Sequence, residues 1–497
     1  MKNNPERRAL PTRLLTIAAL TLLLAGCADM AGVPPPQAKL RDAASLGLSG
    51  AAAQPAVSAE WWRAFGDPQL DALIARALED SPSLKLAQVR LERARSMSEG
   101  ARAALLPKLG AEVDLNRQLF SSNFIYPPPL GGATYNSAQA QLEGSWEIDF
   151  FGKNRAALDA ALGNTKAAEA DAQAARVLLA SNVARGYFQL ARLHDQLAVA
   201  ERTLAQRTQE LGLVRDRFDA GLDTTLELRE SEGGLPEARR QIEALHEQIA
   251  LERNALGALV GQPDAAKALT PTALIAINSV SLPDAIPASL LGQRADVAAA
   301  RWRVEAATAD VKNAKRQFYP NVNLIALAGF SSLGFGNLFK SGSQQWNVGP
   351  AITLPIFEGG RLRANLHGRN ADLDAAVESY NATVLDAVRD AADQIASLQS
   401  IARQQTQQQA AQAAAESAYD LSLQRYKAGL GTYLNVLTAE STVLAQRRLD
   451  VDLRARALDT EVALIRALGG GYPAEAVAQA GAGPAQEPAR GRVASRP

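Results

Sequence analysis

Arg217-Phe218-Asp219-Ala220-Gly221-Leu222-Asp223-Thr224 recurs 208 positions later as Arg425-Tyr426-Lys427-Ala428-Gly429-Leu430-Gly431-Thr432. The same offset pairs Gly152 with Gly360, Arg155 with Arg363, and the Ala-Leu-Val-Gly ending at Gly261 with the Arg-Ala-Leu-Gly ending at Gly469. Upstream, Leu105-Leu106-Pro107 matches Phe318-Tyr319-Pro320 at an offset of 213, and one inserted loop between Pro107 and Gly152 accounts for the difference. A unit of about 180 residues is too long for a solenoid repeat. The chain therefore reads as a duplicated half, repeating over 81–262 and 294–470. The first repeat counted from its lead-in covers 61–262, and a linker over 263–293 joins it to the second.

Each half predicts the same order of elements. A helical stretch (81–105; 294–318) stops before Pro107 or Pro320. The period then switches to two: Leu109, Ala111, Val113, Leu115 in one half, and Val322, Leu324, Ala326, Ala328, Phe330 in the other. A second alternating run follows in each half, through Ala138, Ala140, Leu142, Trp146, Ile148, Phe150 and through Trp346, Val348, Ile352, Leu354, Ile356. Alternation over about ten residues is the mark of a membrane β-strand, weak in one segment and stronger in four duplicated ones. The strands are expected at about 107–117, 137–150, 320–331 and 345–356, with exposed loops over 117–136 and 331–345. Pro350 cannot donate a ladder hydrogen bond, so it predicts an edge position or a bulge.

Very long helical patterns follow, about 153–218 and 360–427. At 1.5 Å per residue each spans about 100 Å, too long for a small globular core. Leu373, Val377, Tyr380, Val384, Val388, Ala391, Ile395 and Leu398 step by fours and threes, a coiled-coil seam. The Gln- and Ala-rich tract 404–415 continues the helix, since both residues are good helix formers. Each long helix turns at Gly221 or Gly429, suited to the left-handed conformation that ends helices, and returns through a shorter one (about 223–260; 432–468).

At the start of the chain, Lys2, Arg7, Arg8 and Arg13 precede the apolar run 14–24, which ends in Leu24-Ala25-Gly26-Cys27. The run is too short to span a bilayer and reads as a signal peptide over 1–26. Cys27 is the only cysteine, so an internal disulfide is excluded. The arrangement resembles a bacterial lipobox, which would make Cys27 an acylated N-terminus; an ordinary signal peptide with an incidental cysteine is the alternative. Ala28 after the cysteine favours the outer membrane by resemblance to enterobacterial sorting rules. Residues 27–60 then form a loose lipidated tether, and 471–497 a Gly-, Ala- and Pro-rich disordered tail. Basic and acidic residues number 52 each, a balance that argues against nucleic acid. His194, His246 and His367 lie far apart without acidic partners at ligand spacing, and no nucleotide loop appears, so neither enzyme, metal site nor cofactor is expected. With no other long apolar stretch, a membrane crossing must use β-strands.

Four strands cannot close a barrel, and open edges in lipid leave backbone groups unsatisfied at several kcal/mol each. Further copies must supply the rest. Two copies give eight strands with an interior filled by side chains; three give twelve and room for a lumen. The companion helices then form a second, coaxial cylinder.

Trp61-Trp62-Arg63-Ala64-Phe65-Gly66-Asp67-Pro68-Gln69-Leu70, the Pro355-Ile356-Phe357-Glu358-Gly359-Gly360 corner and the two Ala-Gly-Leu turns resemble the TolC-like outer-membrane efflux family, in its lipoprotein (OprM-like, NodT-type) branch. The resemblance runs in order from Cys27 to Gly470. It implies a mixed α and β membrane protein: a homotrimer whose twelve-stranded transmembrane β-barrel, four strands per protomer, continues into a long periplasmic α-helical barrel. It further implies an exit duct of a tripartite efflux system, catalysing nothing. Such a duct conducts drugs or other small molecules from an inner-membrane pump, of the resistance-nodulation-division type, and a periplasmic adaptor. A duct for type I protein secretion and a poreless periplasmic coiled-coil lipoprotein are the alternatives, although the latter leaves the alternating segments without a purpose.

In the family, acidic residues near the start of the inner returning helix ring a constriction. Mapped here, the motif falls on Asn435-Val436-Leu437-Thr438, with Asn435 and Thr438 where relatives often carry aspartates. The first-repeat equivalents are Glu227 and Glu230. A ring of like charges raises each member's pKa and attracts cations, whereas the plainer reading makes both glutamates solvated surface charges. The resemblance also implies that the small-residue turns accept the adaptor, through Arg217, Gly221 and Leu222 and through Arg425, Gly429 and Leu430; helix capping alone would also account for the glycines. Trp61 and Trp62 are expected to pack the N-terminal segment against the helices.

Overall fold

The computed structural model describes residues 30–41, 57–280 and 290–472. The expected signal peptide, Cys27 and residues 473–497 of the expected tail lie outside the described residues; of the tail's first two residues, Tyr472 is buried against Ala295 and Ala299 and is not loose. The first half runs α1 (Pro68–Asp80), α2 (Pro82–Ala103), β1 (Lys108–Leu119), β2 (Thr134–Ile148), α3 (Lys153–Asp219) and α4 (Thr225–Val260). The second runs α5 (Ala295–Arg316), β3 (Asn321–Leu333), β4 (Gln344–Thr353), α6 (Arg361–Lys427) and α7 (Tyr433–Ala467). From α2 and from α5 onward the order is the same: helix, hairpin, long helix, returning helix. The long helices α3 and α6 are both 67 residues, and the tract 404–415 lies inside α6.

The strand ends depart from the alternating pattern for local reasons. β2 stops at Ile148, not 150, because the Asp149 carboxylate accepts from the backbone N–H groups of Asn154 (3.1 Å) and Arg155 (2.8 Å) and so starts α3. β4 stops at Thr353, not 356, ahead of Pro355, which has no N–H to give. Pro350 does sit on an edge strand: β4 pairs only with β3, opposite Leu324.

The chain divides into two compact units, and both long helices contribute to each. The first unit holds the sheet with Glu92–Ala167 and Arg301–Ser379. Val311 and Ala314 of α5, with Phe318 just after it, pack on Leu362 and Leu366 of α6. Residues 30–40 are not loose. Met30 and Val33 join that cluster, Pro34 O accepts from Asn370 (2.7 Å), and the Asp374 carboxylate accepts from the backbone N–H of both Gln37 and Ala38 at 2.8 Å.

The second unit holds the main core. Trp61, Trp62 and Phe65, with Leu70 and Ile74 of α1, pack on Tyr187, Phe188 and Leu190 of α3, Leu256 of α4, and Val462 and Ile465 of α7. Asp67 caps α1 through the N–H of Gln69 (2.9 Å) and accepts the Tyr187 hydroxyl at 2.6 Å. The expected linker is partly core as well. Ala266, Leu274 and Ile277 are buried there, and the Leu274 N–H bonds the Asp195 carboxylate at 3.1 Å. The α6 seam is buried at Val377, Val384, Ala391 and Ile395.

Phe188→Ala empties the centre of this core, where its ring meets Phe65 edge-on at 5.0 Å. We expect it to destabilise the second unit by about 3–5 kcal/mol, read as a lower urea midpoint of Trp61 and Trp62 fluorescence.

Candidate functional sites: the two-faced sheet and the helix turns

The sheet has the order β1-β2-β3-β4, antiparallel throughout, with β1 and β4 open along their outer edges. The register places most of the apolar residues of the four strands on one face, Val113 opposite Ala140 opposite Phe330, and Ala111 opposite Leu142 opposite Ala328 opposite Trp346, while Ile325 and Leu327 fall on the other. The alternate face carries Glu112, Asp114, Gln139, Gln141, Glu143, Asn323, Gln345 and Asn347. Among the described residues the apolar face is largely uncovered: Leu109 is 77 % exposed, Val113 70 % and Trp346 78 %. An uncovered apolar band of this kind, backed by a polar one, is what a strand facing lipid on one side and water on the other requires.

One glycine shapes the polar face. Gly329 of β3 lies between Gln141 and Gln345 in the register, and a Cβ there would come within 2.6 Å of the Gln141 Cα. The Gln141 amide fills that space. Its oxygen accepts from Gln345 Nε2 at 3.1 Å across the glycine, and its nitrogen donates to Glu112 Oε2 at 3.2 Å and to Glu143. A polar chain thus crosses all four strands, two acids at one end.

The two helix turns are built alike. Leu222 N–H bonds Arg217 O at 2.8 Å and Gly221 N–H bonds Phe218 O at 2.9 Å; in the second turn Leu430 bonds Arg425 at 2.8 Å and Gly429 bonds Tyr426 at 3.0 Å. This is the Schellman closure of a helix end. Gly221 and Gly429 both have φ of 75° with open space around the missing Cβ, so backbone conformation, not crowding, requires glycine. Leu222 and Leu430 project as exposed side chains.

Beyond this shared frame the turns differ. The Asp223 carboxylate takes both arms of the Arg217 guanidinium, at 3.1 and 3.2 Å, and the Tyr426 hydroxyl. Arg217 also lies 4.6 Å over the Tyr426 ring. Burial, with Asp223 beside it, pushes the Tyr426 hydroxyl above its usual range, so it acts as a donor. At the equivalent positions the second repeat has Gly431 and the first has Phe218, so this bond exists once per chain. Arg217 is therefore turned inward, and Arg425 reaches only the Leu430 carbonyl, at 3.4 Å.

Glu227 closes a capping box at the start of α4, accepting from the Thr224 N–H at 2.9 Å and from its hydroxyl. Those bonds, the hydroxyl's first, hold its carboxyl below the usual range. Glu230 is exposed one turn on. Asn435 and Thr438 are exposed at the matching places on α7, where Thr438 donates to Leu434 O at 2.8 Å. The four candidates thus lie at equivalent positions on two returning helices. Asp223 and Tyr426 stand in the repeated motif but were not among the expected site residues; the signal was the mismatch of Asp223 with Gly431 inside the repeat.

The sequence profile of the outer membrane efflux protein family matches residues 73–262 and 286–470. The chain is 38 % identical over 374 residues to the fusaric acid resistance protein FusA of Burkholderia cepacia, covering 72 % of this chain and 69 % of that one. It is 33 % identical over 486 residues to the multidrug resistance outer membrane protein MdtP of Escherichia coli K12, covering 94 % and 98 %. Among solved structures it is similar to the outer membrane protein VceC of Vibrio cholerae, at 36 % identity and a TM-score of 0.79 over 84 % of this chain and 100 % of that one.

Tyr426→Phe removes a donor from a mostly buried carboxylate, and a loss of about 1–3 kcal/mol is expected. A thermal double-mutant cycle with Asp223→Ala should give a coupling of about 0.5–3 kcal/mol; a cycle with Gly431 and Phe218 variants should give none.

Proposed function

The chain belongs to the outer membrane efflux protein family, and we propose that it is the exit duct of a tripartite efflux system, passively conducting drugs or other small molecules outward. The observation that carries this reading is the four-stranded sheet with one apolar face bare, one face polar and both edges unpaired. Lipid satisfies the first, a water-filled lumen the second, and copies of the chain the third. Three copies close a twelve-stranded barrel around a lumen. Aromatic side chains at the two ends of the strands support the membrane placement: Phe151 stacked on Tyr319 at one end, and Phe120, Tyr126 and Tyr135 packed together at the other.

Acylation of Cys27 would anchor the N-terminus in the same membrane, and the docked segment 30–41 holds the following residues on α6. The turns suit an adaptor: Leu222 and Leu430 offer apolar side chains, while Gly221 and Gly429 leave backbone open to close approach. In a trimer, Glu230 with Asn435 and Thr438 would ring the narrow end. An inner-membrane pump of the resistance-nodulation-division type, working through a periplasmic adaptor, would supply substrate and energy. The names of the relatives, multidrug and fusaric acid resistance, support small organic molecules as cargo.

Deleting the gene should make the cell hypersensitive to a panel of antibiotics, dyes and detergents, and the wild-type gene should restore resistance. Val113→Lys on the apolar face is expected to cost about 2–4 kcal/mol near the bilayer midplane and to fail to complement. Cys27→Ser should complement with reduced membrane retention. Unchanged susceptibility on deletion would overturn drug efflux.

A further inference from the structure

Between the helix turns and the main core, α3, α4, α6 and α7 enclose two carboxylates and one cation. Glu210 of α3 and Glu440 of α7 are 4 % and 1 % exposed. Arg207 of α3 is committed to Glu440, with Nε and Nη2 at 2.8 and 3.2 Å from its two oxygens and Nη1 donating to Gly234 O of α4 at 3.0 Å. Glu210 is left with neutral donors. Its Oε1 accepts from the Tyr419 hydroxyl of α6 and from Gln206 at 3.3 Å, and its Oε2 is buried with no protein donor among the described residues. Tyr433 of α7, buried and uncharged, also lies near Glu210, with the buried Ser231 of α4 beside it.

With both acids ionised the cluster would carry one uncompensated negative charge away from water, which proteins avoid by neutralising the group. We propose that Glu210 is a proton-binding site: it is carried as a neutral carboxylic acid, protonated at Oε2, in the packed helices, and its ionisation loosens the joint between α3 and α6. Burial above all, with the charge of Glu440, pushes its carboxyl above the usual range, against the bonds from Tyr419 and Gln206 and the charge of Arg207. The joint sits one heptad from the turn. Glu210 and Arg217 are seven residues apart on α3, Tyr419 and Tyr426 seven apart on α6, and the second pair meets at Asp223. On the reading of the protein as a duct, this makes the firmness of its turn-bearing end depend on pH.

Because packing raises the affinity of Glu210 for its proton, the packing is fully favoured below the ordinary carboxylate range and weakens as pH rises through the raised value. The full-length protein, purified in detergent, should show in difference infrared spectra a protonated-carboxyl band that disappears as pH rises, and a thermal midpoint that falls with it. Glu210→Gln, which keeps the shape of the acid, should lack that band and that fall. Glu440→Gln frees Arg207 for Glu210 and should move the infrared midpoint at least about one pH unit lower. Tyr419→Phe removes a donor to the ionised form and should move it higher. A band retained in Glu210→Gln, or midpoints unmoved in the other two variants, would overturn the proposal. These readouts do not need conduction, so they stand apart from the duct reading. Single-channel conductance in bilayers tests the link: opening that rises with pH in wild type and not in Glu210→Gln supports it. A titrating band with pH-independent conductance would overturn the effect on the duct.

Discussion

Unpaired backbone at the two sheet edges is the constraint on which the rest depends. β1 and β4 each present a row of N–H and C=O groups with no partner in their own chain, and lipid offers none. The only inexpensive partners are the edges of further copies. Under the proposed function, pairing with those copies would couple membrane insertion to oligomerisation, and the polar face, with Gln141 crossing Gly329 to Gln345, would become an inner wall. In both repeats the strand hairpin follows a helix of 22 residues and leads into one of 67.

Duplication explains why the two turns share a backbone frame to within about a tenth of an ångström in their closing bonds. It also explains where they part. A buried ion pair or carboxylate cluster needs complementary groups from different elements. Two equivalent copies of one acid facing each other would repel. Divergence supplies the asymmetry: Asp223 against Gly431, Tyr426 against Phe218, and Glu210 against Ala418 at the matching offset. Two polar joints of the helical part are thus made between the repeats, each with an acid on α3 or its turn and a tyrosine on α6. Helix packing alone would tolerate sliding by a turn along alanine-rich faces. A buried hydroxyl-to-carboxylate bond fixes register, since a slip of one turn strands the carboxylate.

How much of this was legible in the sequence follows the range of the physics involved. Period-two alternation around Leu109–Leu115 and Val322–Phe330, the offset of 208 and the glycines of the turns are local signals, and they locate the strands, the long helices and the turns. Strand ends were less legible, because Asp149 leaves β2 to cap α3 and Pro355 ends β4, both side-chain effects on single residues. The segments read as tether and linker are partly docked, through Asp374 and Asp195, acceptors distant in sequence from the N–H groups they bind. Nothing in the spacing of Met30–Arg41 or Ala266–Ile277 announces those partners. Of the site residues, Glu227 could have been read as a capping-box member, since Thr224 stands three residues before it.

The least legible feature, the Glu210 cluster, is also the one whose placement has a physical rationale. On the duct reading, the helical part would need a stiff wall and an end that can change shape. Apolar seams such as Val377 to Ile395 hold at every pH. A neutralised carboxylate, by contrast, adds to the packing only while it keeps its proton. Setting it one heptad from the Asp223 bond leaves the main core, with Phe65, Tyr187 and Phe188, outside the reach of that proton. A change in the state of Glu210 can then alter the last turns of α3 and α6 while the body of the second unit stays packed.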